Sequence, residues 1–287
     1  MTTPIDAHSR QYSHVNGSIN DLLERFAVSE LCKGWPVYRD SSEWKNYRDV
    51  FAKDATVWTT WSKGRSVDDF IAVSKQGKER GDFIMHRECG TLVEYSAEHG
   101  RAVGKMKATI TQRFKVATAE LASTACPLGT EFDVDCDARF IFFCLRDPGA
   151  GGAWKARYVK LFYEKDKIVP VDGVHAPVFP RELLDSFPAG YSYLGAAQKT
   201  LGYPVTPNLP TPGDLDSWFG MYNKMEQWLA GEEIDLKVGD DNFLETESGE
   251  NTPVKDSIKG PLPSETGGKN SISFAKHGEK AAVTVSA

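Results

Sequence analysis

No apolar stretch of this chain approaches the ~20 residues a helix needs to cross a bilayer; runs such as Phe140-Ile141-Phe142-Phe143-Cys144-Leu145 are strand-sized. There is no lysine- and arginine-rich stripe with interleaved aromatics, and the formal net charge of −6 disfavours a phosphate backbone as partner. Neither a membrane nor a nucleic acid is therefore expected. The glycine fingerprints of dinucleotide and nucleotide-phosphate binding are missing, as are the Gly-x-Ser-x-Gly elbow and the His-Glu-x-x-His helix. Redox and phosphoryl-transfer chemistry lose their usual sequence grounds. What these absences leave is cofactor-independent chemistry on a small organic molecule, with no metal. The opening residues Met1–His8 have neither a basic region nor an apolar core, so no secretory signal is expected and a cytoplasmic location is.

Cysteine is sparse. The five are Cys32, Cys89, Cys126, Cys136 and Cys144, with no Cys-x-x-Cys pair, and an odd count suits reduced thiols better than a disulfide framework. Cys32, Cys89 and Cys144 lie in apolar runs and are expected as small buried hydrophobes. Cys126 and Cys136 flank a loop, where free thiols or a bridge both fit the sequence.

Aromatic residues, by contrast, make up 11 % of the chain and apolar residues 40 %, enough for a sizeable core. Residues 1–17 are polar and are expected to be flexible. From Ser18, a candidate N-cap, Ile19, Leu22, Leu23, Phe26, Val28, Leu31 and Cys32 recur at helical spacing. Gly34 and Pro36 disturb that run before Asp40. A short helix follows from near Trp44, then a β-branched and aromatic strand at 55–61 and a helix capped by Ser66. Strand patterns run at about 85–96, 101–115, 137–146 and 154–163, separated by turn chemistry at His99-Gly100 and Pro148–Gly152. Between them, 116–135 reads as a long loop. Helices first and an antiparallel meander afterwards is an α+β order, in which a curved sheet around the helices leaves a pocket. Residues 18–172 form this domain. Residues 173–236 are an aromatic and proline-rich helical extension expected to pack on it, and 237–287 read as a disordered tail.

His86, in Phe83-Ile84-Met85-His86-Arg87-Glu88, is a candidate general base because imidazole titrates near neutrality; it could equally be an inert structural histidine. Asp40, by residue type, is a loop acid or a cap for the next helix. Tyr38, Tyr47, Trp58, Trp61 and Tyr163 are candidate cavity walls. Arg157 lies six residues before Tyr163, on the same strand face by alternation; it could bind an enolate or carboxylate if that face is inward, or be a surface or ion-paired arginine. Glu88 shares the face of His86 as a reserve acid, and His175 is a candidate at the pocket mouth.

The order of these segments resembles the SnoaL-like branch of the nuclear transport factor 2-like superfamily, which includes scytalone dehydratase. The resemblance covers roughly 19–172 and rests on layout and on Asp40 standing five residues after Trp35 and four before Trp44. It implies a cone-shaped α+β barrel in which Asp40 orients His86 for acid–base catalysis without a cofactor. By the same spacing, Arg39 and Thr59 stand where the dehydratase has two tyrosines, and Thr111 where it has a second histidine. Its serine and asparagine fall near Ala138 and Phe140. The implied substrate is small and hydrophobic, aromatic or polyketide-derived, in secondary metabolism; the implied assembly is a homo-oligomer, dimer or trimer. Dehydration, aldol-type cyclisation, isomerisation and retro-aldol cleavage share the first proton abstraction. A non-catalytic binding or scaffold role on the same fold is the competing class.

Overall fold

A serine N-cap starts each of two helices. In the computed structural model, which describes residues 13–119 and 121–236, Ser18 Oγ accepts the Asp21 N–H at 3.2 Å to start α1 (Ile19–Asp40). Ser66 Oγ accepts the Asp69 N–H at 3.2 Å to start α3 (Val67–Glu79). All described residues belong to the unit Met1–Thr246. The expected tail at 237–287 and residues 1–12 of the expected flexible N-terminus lie outside them. Residues 13–17 are tied down rather than loose: Ser13 bridges to Tyr95, and Arg25 donates to Ser13 Oγ and to the Asn16 carbonyl.

α1 runs straight through Gly34 and Pro36 to Asp40. Its inward side is Val28, Cys32, Trp35 and Arg39, spaced four, three and four residues apart. Ile19, Leu22, Leu23 and Phe26, which extend the same apolar pattern in sequence, lie instead on an exposed side, 51–67 % accessible. α2 (Trp44–Asp49), β1 (Phe51–Trp58) and the two-residue β2 (Arg65–Ser66) precede α3. The meander is β3 (Ile84–Ser96), β4 (Arg101–Lys115), β5 (Glu131–Asp147) and β6 (Ala153–Pro170).

These make one six-stranded sheet in the order β2-β1-β6-β5-β4-β3, antiparallel except that β1 runs parallel to β6. The sheet is mixed and not closed, so the barrel is an open curved sheet. α1 touches β3, β4 and β6, spanning the sheet's concave side. β5 begins well before, and β6 ends well after, the segments that alternation marks. Asp133 and Asp135 make the start of β5 read as loop, yet each has a cross-strand partner, as does Asp137 at the expected strand start. Arg113 holds Asp133 at 2.8 Å, Thr111 holds Asp135 at 2.5 Å and Thr109 holds Asp137 at 2.6 Å, while Phe132, Val134 and Cys136 go inward. The long loop shortens accordingly to 116–130.

The inner core gathers Trp35, Tyr47, Phe51, Phe70, Phe140 and Phe142. At Gly104 of β4 the sheet lies close against α1, because a Cβ there would collide with Cys32 Sγ. Gly104→Ala should therefore destabilise by about 1–3 kcal/mol, the usual cost of overpacking. The check is a lower urea midpoint at unchanged m-value; an unaltered midpoint would mean that α1 and β4 separate freely.

The extension divides between the two faces. α4 (Arg181–Leu184) and α5 (Ser192–Thr200) join the inner core through Phe187, Tyr191 and Leu194. α5 has no cap of its own; Asp166 of β6 supplies one, accepting the Leu194 N–H at 2.7 Å. α6 (Leu215–Leu229) covers the outer face, packing Trp218, Met221, Met225 and Trp228 on Val103, Ile141, Phe143 and Phe162. All five cysteines are free, which decides against a Cys126–Cys136 bridge. Cys89 is exposed rather than buried, because a register shift between Glu88 and Gly90 interrupts the pleat of edge strand β3 there. No described helix is long and apolar enough to cross a membrane.

Candidate active site

α1 ends over β3, and its last residue meets that strand. Asp40 Oδ1 lies 2.7 Å from His86 Nδ1, and Asp40 Oδ2 accepts the His86 backbone N–H at 2.6 Å. A carboxylate can only accept, so Nδ1 carries the proton and Nε2 keeps its lone pair. The two bonds from one carboxylate to one residue fix both the ring and the strand beneath it. The His86 side chain is 4 % exposed. Phe140 and Trp35 meet its ring edge-on, with centroids 5.7 and 6.4 Å away.

Burial pushes the His86 pKa below its ordinary value; the hydrogen bond it donates to Asp40 and the charge of that carboxylate work against the shift without cancelling it. The imidazole is therefore neutral and basic at pH 7. In the unfolded chain it protonates near pH 6.5, so between that value and its lower folded pKa the unfolded state holds more protons. Stability should fall as pH drops below about 6.5 and be insensitive to this group above it. Denaturant melts of wild type and His86→Gln between pH 5 and 8 check this. A pH dependence equally steep in the variant would contradict it.

A small cavity lies one residue pair along the same inward face. Ile84 and His86 are two apart on β3, and they pair with Gln112 and Ile110 of β4. Arg39, Trp61, Lys78, Ile84, Gln112 and Tyr203 line the cavity, whose volume is about 20 Å³, room for roughly one water. Trp61 stacks on Phe70 at 4.9 Å and approaches Tyr203 at 6.2 Å. A hydrogen-bonded chain runs outward from Gln112 of the cavity wall. Gln198 of α5 donates to Gln112 Oε1 at 3.0 Å, Thr60 Oγ1 donates to Gln198 Oε1 at 2.6 Å, and the Thr60 N–H donates to Tyr163 Oη at 3.1 Å.

The structure sorts the other expected site residues. Tyr47 is buried beside Trp35, ring centroids 5.5 Å apart. Trp61 lines the cavity. Tyr38 is half-buried against Gly34 of its own helix. Tyr163 is locked in the core under Tyr191 with its hydroxyl spent on Thr60, and burial drives its pKa far up. Trp58 is a correction: Ala55 and Val57 take the inward positions of β1, so Trp58 joins the outer cluster beneath α6. Thr111 is another. It alternates with Ile110 and Gln112, and its hydroxyl goes to Asp135 on the opposite face. Arg157 is a third. It sits at a register shift in β6, which breaks the alternation linking it to Tyr163, and it pairs at 2.9 Å with Asp54. Glu88 is exposed and bonded to Thr91, and His175 is exposed and bonded at 2.6 Å to Asp172 in its own turn.

Among the residues that sequence reasoning missed as site members, Gln112 was findable from strand alternation and Arg39 from its place beside Asp40. Lys78, Gln198 and Tyr203 carried no local signal. Among the described residues, no three His, Cys, Asp or Glu side chains converge as metal ligands.

The model of the SnoaL-like domain matches residues 20–160. A PEP2-like protein of Fusarium vanettenii is 40 % identical over 241 residues, covering 81 % of this chain and 97 % of that protein. Pea pathogenicity protein 2 of the same fungus is 40 % identical over 228 residues, covering 77 % and 92 %. A solved hexachlorocyclohexane dehydrochlorinase from Novosphingobium barchaimii is 14 % identical, covers 57 % of this chain and 100 % of its own, and superposes with a TM-score of 0.40; that overlap is too loose to argue from.

Proposed function

The chain belongs to the SnoaL-like domain family, and from that footing we propose that it is a cofactor-independent lyase acting on a small hydrophobic molecule, aromatic or polyketide-type. The observation that carries the reading is the double contact of Asp40 with the ring and backbone of His86. It leaves Nε2 as the base. His86 would remove a proton from carbon next to a carbonyl, and the developing enolate would expel water or another leaving group from the β-carbon. Cyclisation, isomerisation or retro-aldol cleavage would start from the same step.

Proton abstraction can be read without knowing the leaving group. The protein is incubated in D2O with a panel of aryl ketones, and deuterium uptake beside the carbonyl is followed by mass spectrometry. Uptake that depends on His86 supports the reading; no catalysed uptake across the panel counts against it.

A second reading, a non-catalytic binding or scaffold protein, is favoured by two observations. The cavity beside the dyad is only about 20 Å³, and α1 exposes Ile19, Leu22, Leu23 and Phe26. That exposed face is also where we place the contact of a homo-oligomer. Under this reading the dyad would be a structural tie between α1 and β3.

A further inference from the structure

Arg39 is 5 % exposed, and arginine stays protonated wherever it is placed. Buried guanidinium groups are normally paired with a carboxylate or another anion. Among the described residues Arg39 has no such partner. Its one hydrogen bond goes to Ser74 Oγ at 3.4 Å, its charge lies over the Phe70 ring at 5.4 Å, and its Nε has no hydrogen-bond partner. It lines the cavity beside the dyad together with Lys78, whose Nζ donates only to the Asp40 carbonyl at 3.2 Å.

The nearby carboxylates are already engaged. Asp40 turns both oxygens to His86. Asp82, also on the cavity wall, accepts from Arg80 at 3.2 Å and from the Tyr203 hydroxyl at 3.1 Å. Among the described residues neither cation is ion-paired, Asp82 spending its two bonds on Arg80 and Tyr203, and both cations face this space under the apolar walls of Trp44, Trp61 and Ile84.

We propose that Arg39 and Lys78 form an anion-binding subsite beside His86, which takes the carboxylate of a small apolar or aromatic acid. The guanidinium fork matches a carboxylate in two parallel hydrogen bonds, and the adjacent rings suit an apolar body. An acid larger than the cavity is seated by displacement of Trp61 and Tyr203, the two rings that close it. This deepens the lyase reading and rests on it for where the bound acid reacts, since the carboxylate would anchor the molecule with its carbonyl-bearing carbon toward Nε2.

The test uses the full chain and matched probes: benzoate, phenylacetate and 2-naphthoate, each beside its neutral amide, titrated by calorimetry into wild type, Arg39→Met, Lys78→Met and His86→Ala. The expected result is an acid-over-amide preference of at least about tenfold in wild type, as a charge-assisted bidentate pair provides. That preference should be retained in His86→Ala, reduced in Lys78→Met and abolished in Arg39→Met. Should Arg39→Met not fold, Arg39→Lys and Lys78→Met carry the comparison. Equal binding of acid and amide, a preference that survives loss of Arg39, or no binding of any acid at 10 mM would overturn the subsite. Failure of the lyase reading looks different: acids bind with the expected preference while no proton exchange depends on His86.

Discussion

His86→Ala is expected to slow deuterium uptake beside the carbonyl by about 10²–10⁴-fold, the usual contribution of a positioned general base. The protein should remain folded, because the ring is held by one side chain and two aromatic edges rather than by a network. Asp40→Asn is the sharper companion. Asp40 now accepts from two donors of the same residue, the ring Nδ1–H and the backbone N–H. An amide offers one oxygen and one NH2 group, so only one of those donors can be served. If the backbone keeps the oxygen, the NH2 faces the ring, Nδ1 must accept, and the proton moves to Nε2. The base is then lost with its geometry intact. A comparable loss of exchange in both variants, each still folding cooperatively, is the predicted outcome. Exchange undiminished in either would remove the dyad from the mechanism and leave it a structural tie.

Trp35→Ala should cost about 3–5 kcal/mol, the range for deleting a buried large aromatic. Trp35 is 1 % exposed and its ring meets those of Tyr47, Phe51, Phe70, His86, Phe140 and Phe142. It therefore joins α1 to α2, β1, α3, β3 and β5 at one point, and no single neighbour can move in to fill the space. Against a typical stability of about 5–15 kcal/mol, that loss brings the chain close to unfolding at 37 °C. Trp35→Phe should cost far less. It keeps most of the apolar surface and removes the indole N–H, which is buried without a partner and so carries a desolvation penalty of about 1–3 kcal/mol. Urea melts of the two variants separate packing from the polar atom. Equal losses would show that the indole N–H is not a burden on the fold.

Features decided within a few residues were legible from the sequence. Ser18 and Ser66 cap their helices because a cap needs only its own next three residues. The ends of β4 and the presence of four meander strands followed from alternation and turn chemistry. The pairing of Asp40 with His86 was read from a spacing shared with a family, and the structure puts the two in contact. Other features depended on partners distant in sequence. Alternation says that Thr111 and Gln112 face opposite sides, but only the pairing of β4 with β3 and β5 decides which side is inward. One register shift in β6 is enough to cancel the phase that linked Arg157 to Tyr163. Asp133 and Asp135 look like loop until their cross-strand partners are in place. Gln198, 86 residues from the Gln112 it bonds, joins the site only because α5 folds back over the sheet. The sequence by itself determined the local caps, the strand periodicity and the residue types able to exchange a proton. The tertiary structure decided which of those residues face the same space, because inward and outward are properties of the pairing and not of any one strand.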